Sequence, residues 1–170
     1  LECPKEMLER IESERLVIRC WRPEDAPLLK EAIDSSLDDL QPWVTWAVQE
    51  PSTVDALAER LSLMRQCFVS DEDWAYGLFD ANETRVVGGA GLHSRGSTDH
   101  LEIGYWIRSD AIGHGLATQA TAALCQLAVV AALHRVDLHL HRATALRRRL
   151  HAHHLRARFA LLVAARSAVI

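Results

Sequence analysis

The sequence predicts an α/β domain in which an antiparallel run of strands leads into one long helix. Three observations carry that expectation. WAYGLFD, VVGGAGLH and LEIGYWIR are strand-like runs joined by short, turn-rich links, the pattern of a meander. RLVIRCWRPEDAPLL passes from alternating apolar and polar residues to helical spacing. Gly115 to Leu133 is a stretch of 19 residues without a charge, close behind the third strand of the meander.

At 170 residues the chain has the size of one domain or two very small ones, and it can bury a core without staples. Hydrophobic residues at 49% and charged residues at 25% are ordinary globular composition and argue against disorder over the whole length. Cys3, Cys20, Cys67 and Cys125 are spread widely and form no CxxC pair. A zinc ribbon is therefore excluded, a disulfide framework is not expected, and a reducing cytoplasm fits best. The opening LECPKEMLER is charged and holds no apolar core of a secretory signal.

The elements follow in order. Leu16, Ile18 and Cys20 alternate with Arg15, Val17 and Arg19, as in a half-buried strand that Pro23 ends. Glu24 and Asp25 open a helix on which Leu28, Leu29, Ala32 and Ile33 share a face. LQPWVTWA is an irregular, tryptophan-rich loop. Ser52 or Thr53 caps the next helix, with Asp55 in its first turn and Leu57, Leu61 and Met64 on one face. Asp80 and Asn82 supply the turn between the first two strands of the meander, and SRGSTDH is the second turn. The uncharged stretch holds two Thr, two Gln and seven Ala, too mild for a membrane span. Leu116, Ala120, Ala123, Leu124, Leu127 and Val130 give it the buried face of a helix, and HRVDLHL is expected to be a further strand.

The chemistry concentrates in LEIGYWIRSDAIGHGLATQATAAL. A strand runs through a short loop into Gly113-His114-Gly115 and then directly into the long helix. Glycines there let the backbone approach a ligand. The first amides of the helix lack intrahelical partners and the dipole adds partial positive charge, so the corner suits an anion such as a pyrophosphate. Gly-x-Gly alone is equally the mark of a tight strand-to-helix turn. It is not a Walker loop, and it lacks the third glycine and the ribose-binding acid of a dinucleotide fingerprint.

Taken with its order of elements, the chain resembles the GNAT superfamily of acyl-CoA-dependent N-acetyltransferases, in particular the RimJ/RimL-like branch that acetylates N-termini of ribosomal proteins. RLVIRCWRPEDAPLL is similar to that branch's first strand and helix, LQPWVTWA to its tryptophan-containing substrate loop, LEIGYWIRSDAIGHGLATQA to its fourth strand, pyrophosphate loop and third helix, and ALHRVDLHL to the strand that follows. The resemblance covers residues 13–140 and is most specific over 101–121. It implies an α/β GNAT fold: a mixed, mostly antiparallel sheet with helices on both faces. It implies that amides from Gly113, His114, Gly115, Leu116, Ala117 and Thr118 hold the pyrophosphate of acetyl-CoA. The family loop reads Gln/Arg-x-x-Gly-x-Gly/Ala; Gly115 and Ala117 match its small positions, and Ile112 stands where the family has Gln or Arg, a contact made largely through the backbone amide. Ile107 falls where the family's fourth strand offers main-chain groups to the pantetheine arm and thioester.

Acetyl transfer to an amine needs the neutral amine. An α-amino group, with a pKa near about 8, loses its proton far more readily than a lysine, near about 10.4. A carboxylate can take that proton directly or through one water. Glu102, on the strand before the loop, is the candidate base, where the family often places a Glu; an ordinary strand residue paired with an Arg is the alternative. Trp43 and Trp46 are the candidate apolar wall for the acceptor, or simple anchors of their loop. Tyr105 and Trp106 are expected to pack against the helix, and His93 to be an isolated surface histidine that could line the cleft.

Past residue 140 the resemblance stops. The family continues with an Asn and Ser that open a fourth helix, a Lys/Arg-x-Gly-Phe turn and two more strands, and a Ser or Tyr there protonates the CoA thiolate. HRATALRRRLHAHHLRARFALLVAARSAVI contains no Asn, Asp, Glu, Gly or Pro, so two closing strands are hard to place and helix is favoured. Residues 134–170 carry eight Arg against one acid, Asp137, and six of the nine histidines. An altered reading frame from about residue 141 is one hypothesis for the change; an intact locus with no GNAT-like remainder downstream would refute it. A basic tail binding nucleic acid or an acidic membrane, and metal ligation by His139, His141, His151, His153 and His154, are the competing readings, disfavoured because solvated Arg-rich helices are common and a helix would scatter the histidines.

The sequence thus divides into a GNAT acetyltransferase domain over 1–140 and an atypical Arg/His-rich tail over 141–170, expected to be helical. The expected function is transfer of the acetyl group of acetyl-CoA to a primary amine, plausibly a protein N-terminal α-amine, by direct attack in a ternary complex. The alternative is a catalytically impaired acyl-CoA-binding remnant with a truncated or frame-altered C-terminus. Acetyl-CoA is the co-substrate, and no metal is expected. The partners are acetyl-CoA and a protein N-terminus or small amine; no membrane and no nucleic acid are expected, and a homodimer is left open.

Overall fold

Five strands form one antiparallel sheet in sequence order, β1 to β5, in a computed structural model that describes residues 7–94 and 101–147. The strands are β1 (Arg10–Glu12), β2 (Leu16–Cys20), β3 (Trp74–Asp80), β4 (Val86–His93) and β5 (Glu102–Ile107). Helices α1 (Ala26–Asp34), the short α2 (Leu37–Leu40) and α3 (Val54–Val69) lie between β2 and β3, and α4 (Leu116–Arg147) follows β5. The expected α/β architecture, with helices on both faces, is what forms. The meander falls where the alternation put it. The turn SRGSTDH lies almost wholly outside the described residues.

The alternation of β2 has a different meaning from the one expected. All five of its residues are buried, because helices cover both faces. Leu16, Ile18 and Cys20 join the core beneath α4, while Val17 joins the core beneath α1 and α3. Arg19 is buried on that second face and survives there through pairing. Its Nη2 donates to Asp25 Oδ1 at 2.7 Å and its Nη1 to Asp25 Oδ2 at 2.8 Å, its Nε reaches Glu83, and its guanidinium lies over the Phe79 ring. Asp25 also accepts the Arg22 amide in the 3-10 turn Pro23–Asp25, after which α1 begins at Ala26. Thr53 caps α3 by accepting the Ala56 amide at 3.2 Å. Asp80 orders the β3–β4 turn, its Oδ1 accepting the Arg85 amide and its Oδ2 the Thr84 hydroxyl.

On α4, Leu116, Ala120, Leu124 and Leu127 are buried as expected and Ala123 packs at the margin of the core. Val130 is exposed, and Ala128 and Ala131 take the inner positions. The strand expected at HRVDLHL does not form: α4 runs through these residues to Arg147. Neither Gly nor Pro occurs after Gly115, so nothing in the chain stops the helix there. The tail expected to be helical from residue 141 is helical to residue 147; residues 148–170, with His151, His153 and His154, lie outside the described residues. Among the described residues no helix is long and apolar enough to cross a membrane, and no cluster of His, Cys, Asp and Glu is arranged to hold a metal.

Candidate active site

The corner between β5 and α4 is built by its backbone. Gly113 and Gly115 have φ of 81° and 74°, the left-handed region that costs other residues about 1–2 kcal/mol. A Cβ at either would meet nothing within 4 Å, so the requirement is conformational. Gly113, His114, Gly115 and Thr118 are exposed, Ile112 and Ala117 half-buried, and Leu116 is tucked into the core at the first turn. The Gln119 amide makes the first intrahelical bond, to the Gly115 carbonyl at 3.1 Å, so the amides of Leu116, Ala117 and Thr118 precede the helical ladder. Arg15, at the start of β2, donates to the His114 carbonyl at 2.8 Å and pins the loop from the flank.

Beside the loop lies the outer edge of β5, which pairs with no strand among the described residues. The Arg108 amide donates to the Val87 carbonyl at 3.0 Å. In an antiparallel ladder such pairs alternate, so residues 102, 104 and 106 spend their backbone groups on β4. The main-chain groups of Ile103, Tyr105 and Ile107 therefore point to the open edge.

A clamp fixes the strand's exit into the loop. Arg108 is buried, with its Nη1 donating to Glu31 Oε2 at 2.7 Å and its Nη2 to Glu31 Oε1 at 2.8 Å. Its Nη2 also reaches Ser35 Oγ at 3.1 Å and its Nη1 the Val86 carbonyl at 3.2 Å. Its Nε lies 2.8 Å from Asp110 Oδ1 in an ion-pair contact. Arg108 holds the Glu31 carboxyl below its ordinary range by hydrogen bonding. The next residue, Ser109, donates its amide to Ser36 Oγ at 3.0 Å and its hydroxyl to Asp39. The loop and the α1–α2 corner are thus one unit.

Side chains of β5 divide between the faces. Tyr105 and Ile107 pack at the margin of the α4 core, while Trp106 packs toward α1 and α3. Trp46 meets Trp106 edge-on, with ring centroids 5.8 Å apart, and Arg60 lies over Trp46 while pairing with the buried Glu50 at 2.9 Å. Trp43, the other expected wall residue, is 61% exposed and lies apart from this cluster. Glu102 is half-buried and shares the Trp106 face by strand alternation. The expectation of an isolated His93 does not hold. His93 Nδ1 lies 2.7 Å from Asp73 Oδ1, and His93 is the register partner of Glu102. Hairpin register read from the sequence would have missed this pair. A tight hairpin would set Asp73 beside Leu92, but a bulge between Leu78 and Phe79 shifts the ladder by one and sets it opposite His93.

Comparison with known proteins fits this geometry. The family model described as an acetyltransferase (GNAT) domain matches residues 15–159. The [ribosomal protein uS5]-alanine N-acetyltransferase of Escherichia coli (strain K12) is 27% identical over 130 residues, covering 75% of this chain and 67% of that protein. A crystal structure of a probable acetyltransferase superposes with a TM-score of 0.59 at 27% identity, over 68% of this chain and 64% of its own. A ribosomal L7/L12 alpha-N-protein acetyltransferase, solved in complex with coenzyme A, shares the fold with a TM-score of 0.62 at 20% identity, over 69% and 66%. The chain spans about two thirds of the length of these relatives.

Proposed function

The chain belongs to the GNAT acetyltransferase family, and from that premise we propose that it transfers the acetyl group of acetyl-CoA to a primary amine, by direct attack within a ternary complex. The single observation that carries the proposal is the corner at Gly113–Thr118, where two left-handed glycines have open space at their Cβ positions and the helix-opening amides precede the helical ladder, standing next to a strand edge that is unpaired among the described residues. Amides of residues 113–118 grip the pyrophosphate, while the Ile112 amide is turned to the Ser109 carbonyl at 3.5 Å and caps the turn before the loop. The pantetheine arm lies along β5, where the outward main-chain groups of Ile107, Tyr105 and Ile103 bind it as a substitute strand. β5 carries that arm from the loop toward Glu102, about 17 Å along the strand from Ile107.

The acceptor enters on the face that holds Glu102, Trp106 and Trp46. Trp46 walls its apolar part, and Trp43, exposed and outside that cluster, takes no part in the wall. Glu102 attracts the ammonium and takes its proton, directly or through one water, so that the neutral nitrogen attacks the thioester carbonyl. We favour a protein N-terminal α-amine because the uS5-alanine acetyltransferase is among the relatives and because such an amine deprotonates most readily near neutral pH. Work in the cytoplasm follows from the same reading.

Titration calorimetry with acetyl-CoA, paired with a free-thiol release assay over peptides bearing N-terminal Ala or Ser and over spermidine, tests this. Binding with acceptor-dependent thiol release is expected. No binding of acetyl-CoA overturns the proposal. The second reading, an acyl-CoA-binding remnant, draws on α4 running through residues where the family resemblance called for a strand; binding without release for any amine would establish it in place of the first.

A further inference from the structure

Three chain-distant residues line up across three strands on the acceptor face. Asp73, just before β3, stands opposite His93 at the end of β4, and His93 is the register partner of Glu102 at the start of β5. Asp73 Oδ1 is 2.7 Å from His93 Nδ1. An ionised carboxylate only accepts, so Nδ1 carries the proton and Nε2 keeps its lone pair in the neutral ring. The position of Nε2 is fixed by what lies under it. A Cβ on Gly91 would stand 2.5 Å from Nε2 and one on Gly104 3.6 Å away, and Gly91 and Gly104 are themselves register partners. The ring therefore lies over a floor of two glycines, and any larger residue at Gly91 would expel it. One register pair further along the same face, Trp106 covers Gly89, where a Cβ would stand 2.5 Å from Trp106 Nε1. Gly104 thus lies between an imidazole and an indole, next to Glu102.

We infer that His93, oriented by Asp73, is a second proton-carrying residue of the transfer reaction. This rests on the acetyltransferase reading above. The acceptor arrives as an ammonium over Gly104. One proton leaves its nitrogen for the Glu102 carboxylate and passes to His93 Nε2, whose side chain is 23% exposed and releases it to water. The nitrogen lone pair forms the C–N bond, and the tetrahedral adduct then breaks its C–S bond. The second proton leaves the nitrogen in that step and ends on the CoA sulfur. Products are the amide, free CoA and one proton, so the step balances. Asp73 is a positioning residue: it fixes the tautomer and offsets the imidazolium charge. Asp73 faces His93 from the β3 side, and Glu102 stands beside it on β5.

The test uses the full chain, acetyl-CoA and an N-terminal Ala peptide. His93→Gln keeps polarity but cannot carry a proton, and Asp73→Asn keeps an acceptor for Nδ1 without the charge. His93→Gln is expected to lower kcat about 100-fold, leave KM for acetyl-CoA unchanged, and remove one ionisation from the pH–rate profile. Asp73→Asn is expected to lower kcat about tenfold and displace that profile, with both variants melting as cooperatively as the parent. A parent-like kcat and pH profile in His93→Gln overturns the inference while leaving the transferase reading intact. If His93→Gln fails to fold, Asp73→Asn decides, and an undisplaced profile overturns it. A parent chain that releases no thiol with any amine removes the transferase reading itself.

Discussion

The two faces of the sheet are stabilised in different ways. Beneath α4 the contacts are apolar: Leu16, Ile18, Leu78, Leu92, Ile103, Leu116, Leu124 and Leu127 fill one core. Beneath α1 and α3, apolar packing of Val17, Leu29, Ile33, Leu57, Leu61 and Phe79 is threaded with charge. Arg19 with Asp25 and Glu83, Arg108 with Glu31, Arg60 with Glu50 and His93 with Asp73 all lie on that side. The side carrying the ion pairs is also the side where Glu102, Trp106 and Trp46 meet. One face depends on filled volume; the other depends on matched polar partners, which hold side chains at fixed positions that packing alone leaves adjustable.

The largest effects should come from breaking the matching. Asp25→Ala removes the principal partner of a buried guanidinium, since the side chains of Arg19 and Asp25 are 7% and 8% exposed. The expected loss is about 3 kcal/mol in urea unfolding, because uncompensated buried charge costs about 3–5 kcal/mol and Glu83 still attends Arg19. The double change Arg19→Met with Asp25→Leu should recover most of it, as apolar replacement of a whole pair is often close to neutral. On the opposite face, Leu124→Ala should cost about 2–5 kcal/mol, and no polar substitution elsewhere should recover it. If the double change is as damaging as Asp25→Ala, the contrast between matching and volume fails.

How far the sequence disclosed this depends on whether a signal is local. Alternation located β2 to β5, and the meander order followed because each turn joins neighbours. Gly113 and Gly115 announced the corner because left-handed backbone selects glycine within a few residues of the helix it opens. β1 went unseen: Arg10–Glu12 is three residues long and carries two charges, too short for a period-2 pattern. HRVDLHL misled because Val136, Leu138 and Leu140 satisfy a strand's period, while the absence of any breaker let the helix continue. Contacts across sequence were invisible: Glu31 and Arg108 are 77 residues apart, and the burial of Arg19 depends on helices covering both faces. Asp73 meets His93 only through a one-residue bulge, which composition does not reveal.

The corner at α4 offers an intermediate effect and separates stability from binding. Gly115→Ala places a Cβ on backbone at φ 74°, with no chain atom within 4 Å of it. Strain alone should lower stability by about 1–2 kcal/mol. The relaxed loop would also turn its amides away from the ligand, so the Kd for acetyl-CoA in calorimetry should rise about tenfold, or about 1.4 kcal/mol. A stability loss with unchanged affinity would mean that the loop is only a turn and that the anion is held elsewhere.

The smallest effect concerns the clamp between the loop and α1, and its sign follows from Glu31. Hydrogen bonding from Arg108 lowers the folded pKa of Glu31, while the unfolded value stays near about 4.3. A lowered folded pKa means the unfolded chain binds the proton more readily. The pair's stabilisation is therefore fully present above the unfolded value and is lost as pH falls through the folded one. The Glu31 side chain is 58% exposed, so water screens the pair and its worth at pH 7 is about 0.2–1 kcal/mol. Glu31→Gln should melt slightly below the parent at pH 7, and the two melting curves should converge as pH falls through the lowered folded pKa and the parent carboxyl takes up its proton. Thermal melts at four pH values between 7 and 3 read this directly. A constant gap down to the lowest pH would show that the Glu31 charge contributes nothing and that Arg108 is held by its hydrogen bonds to Ser35 and the Val86 carbonyl. The matched face would then owe its rigidity at the loop to neutral partners, and its dependence on charge would rest on the Arg19 cluster and the Arg60–Glu50 and His93–Asp73 pairs.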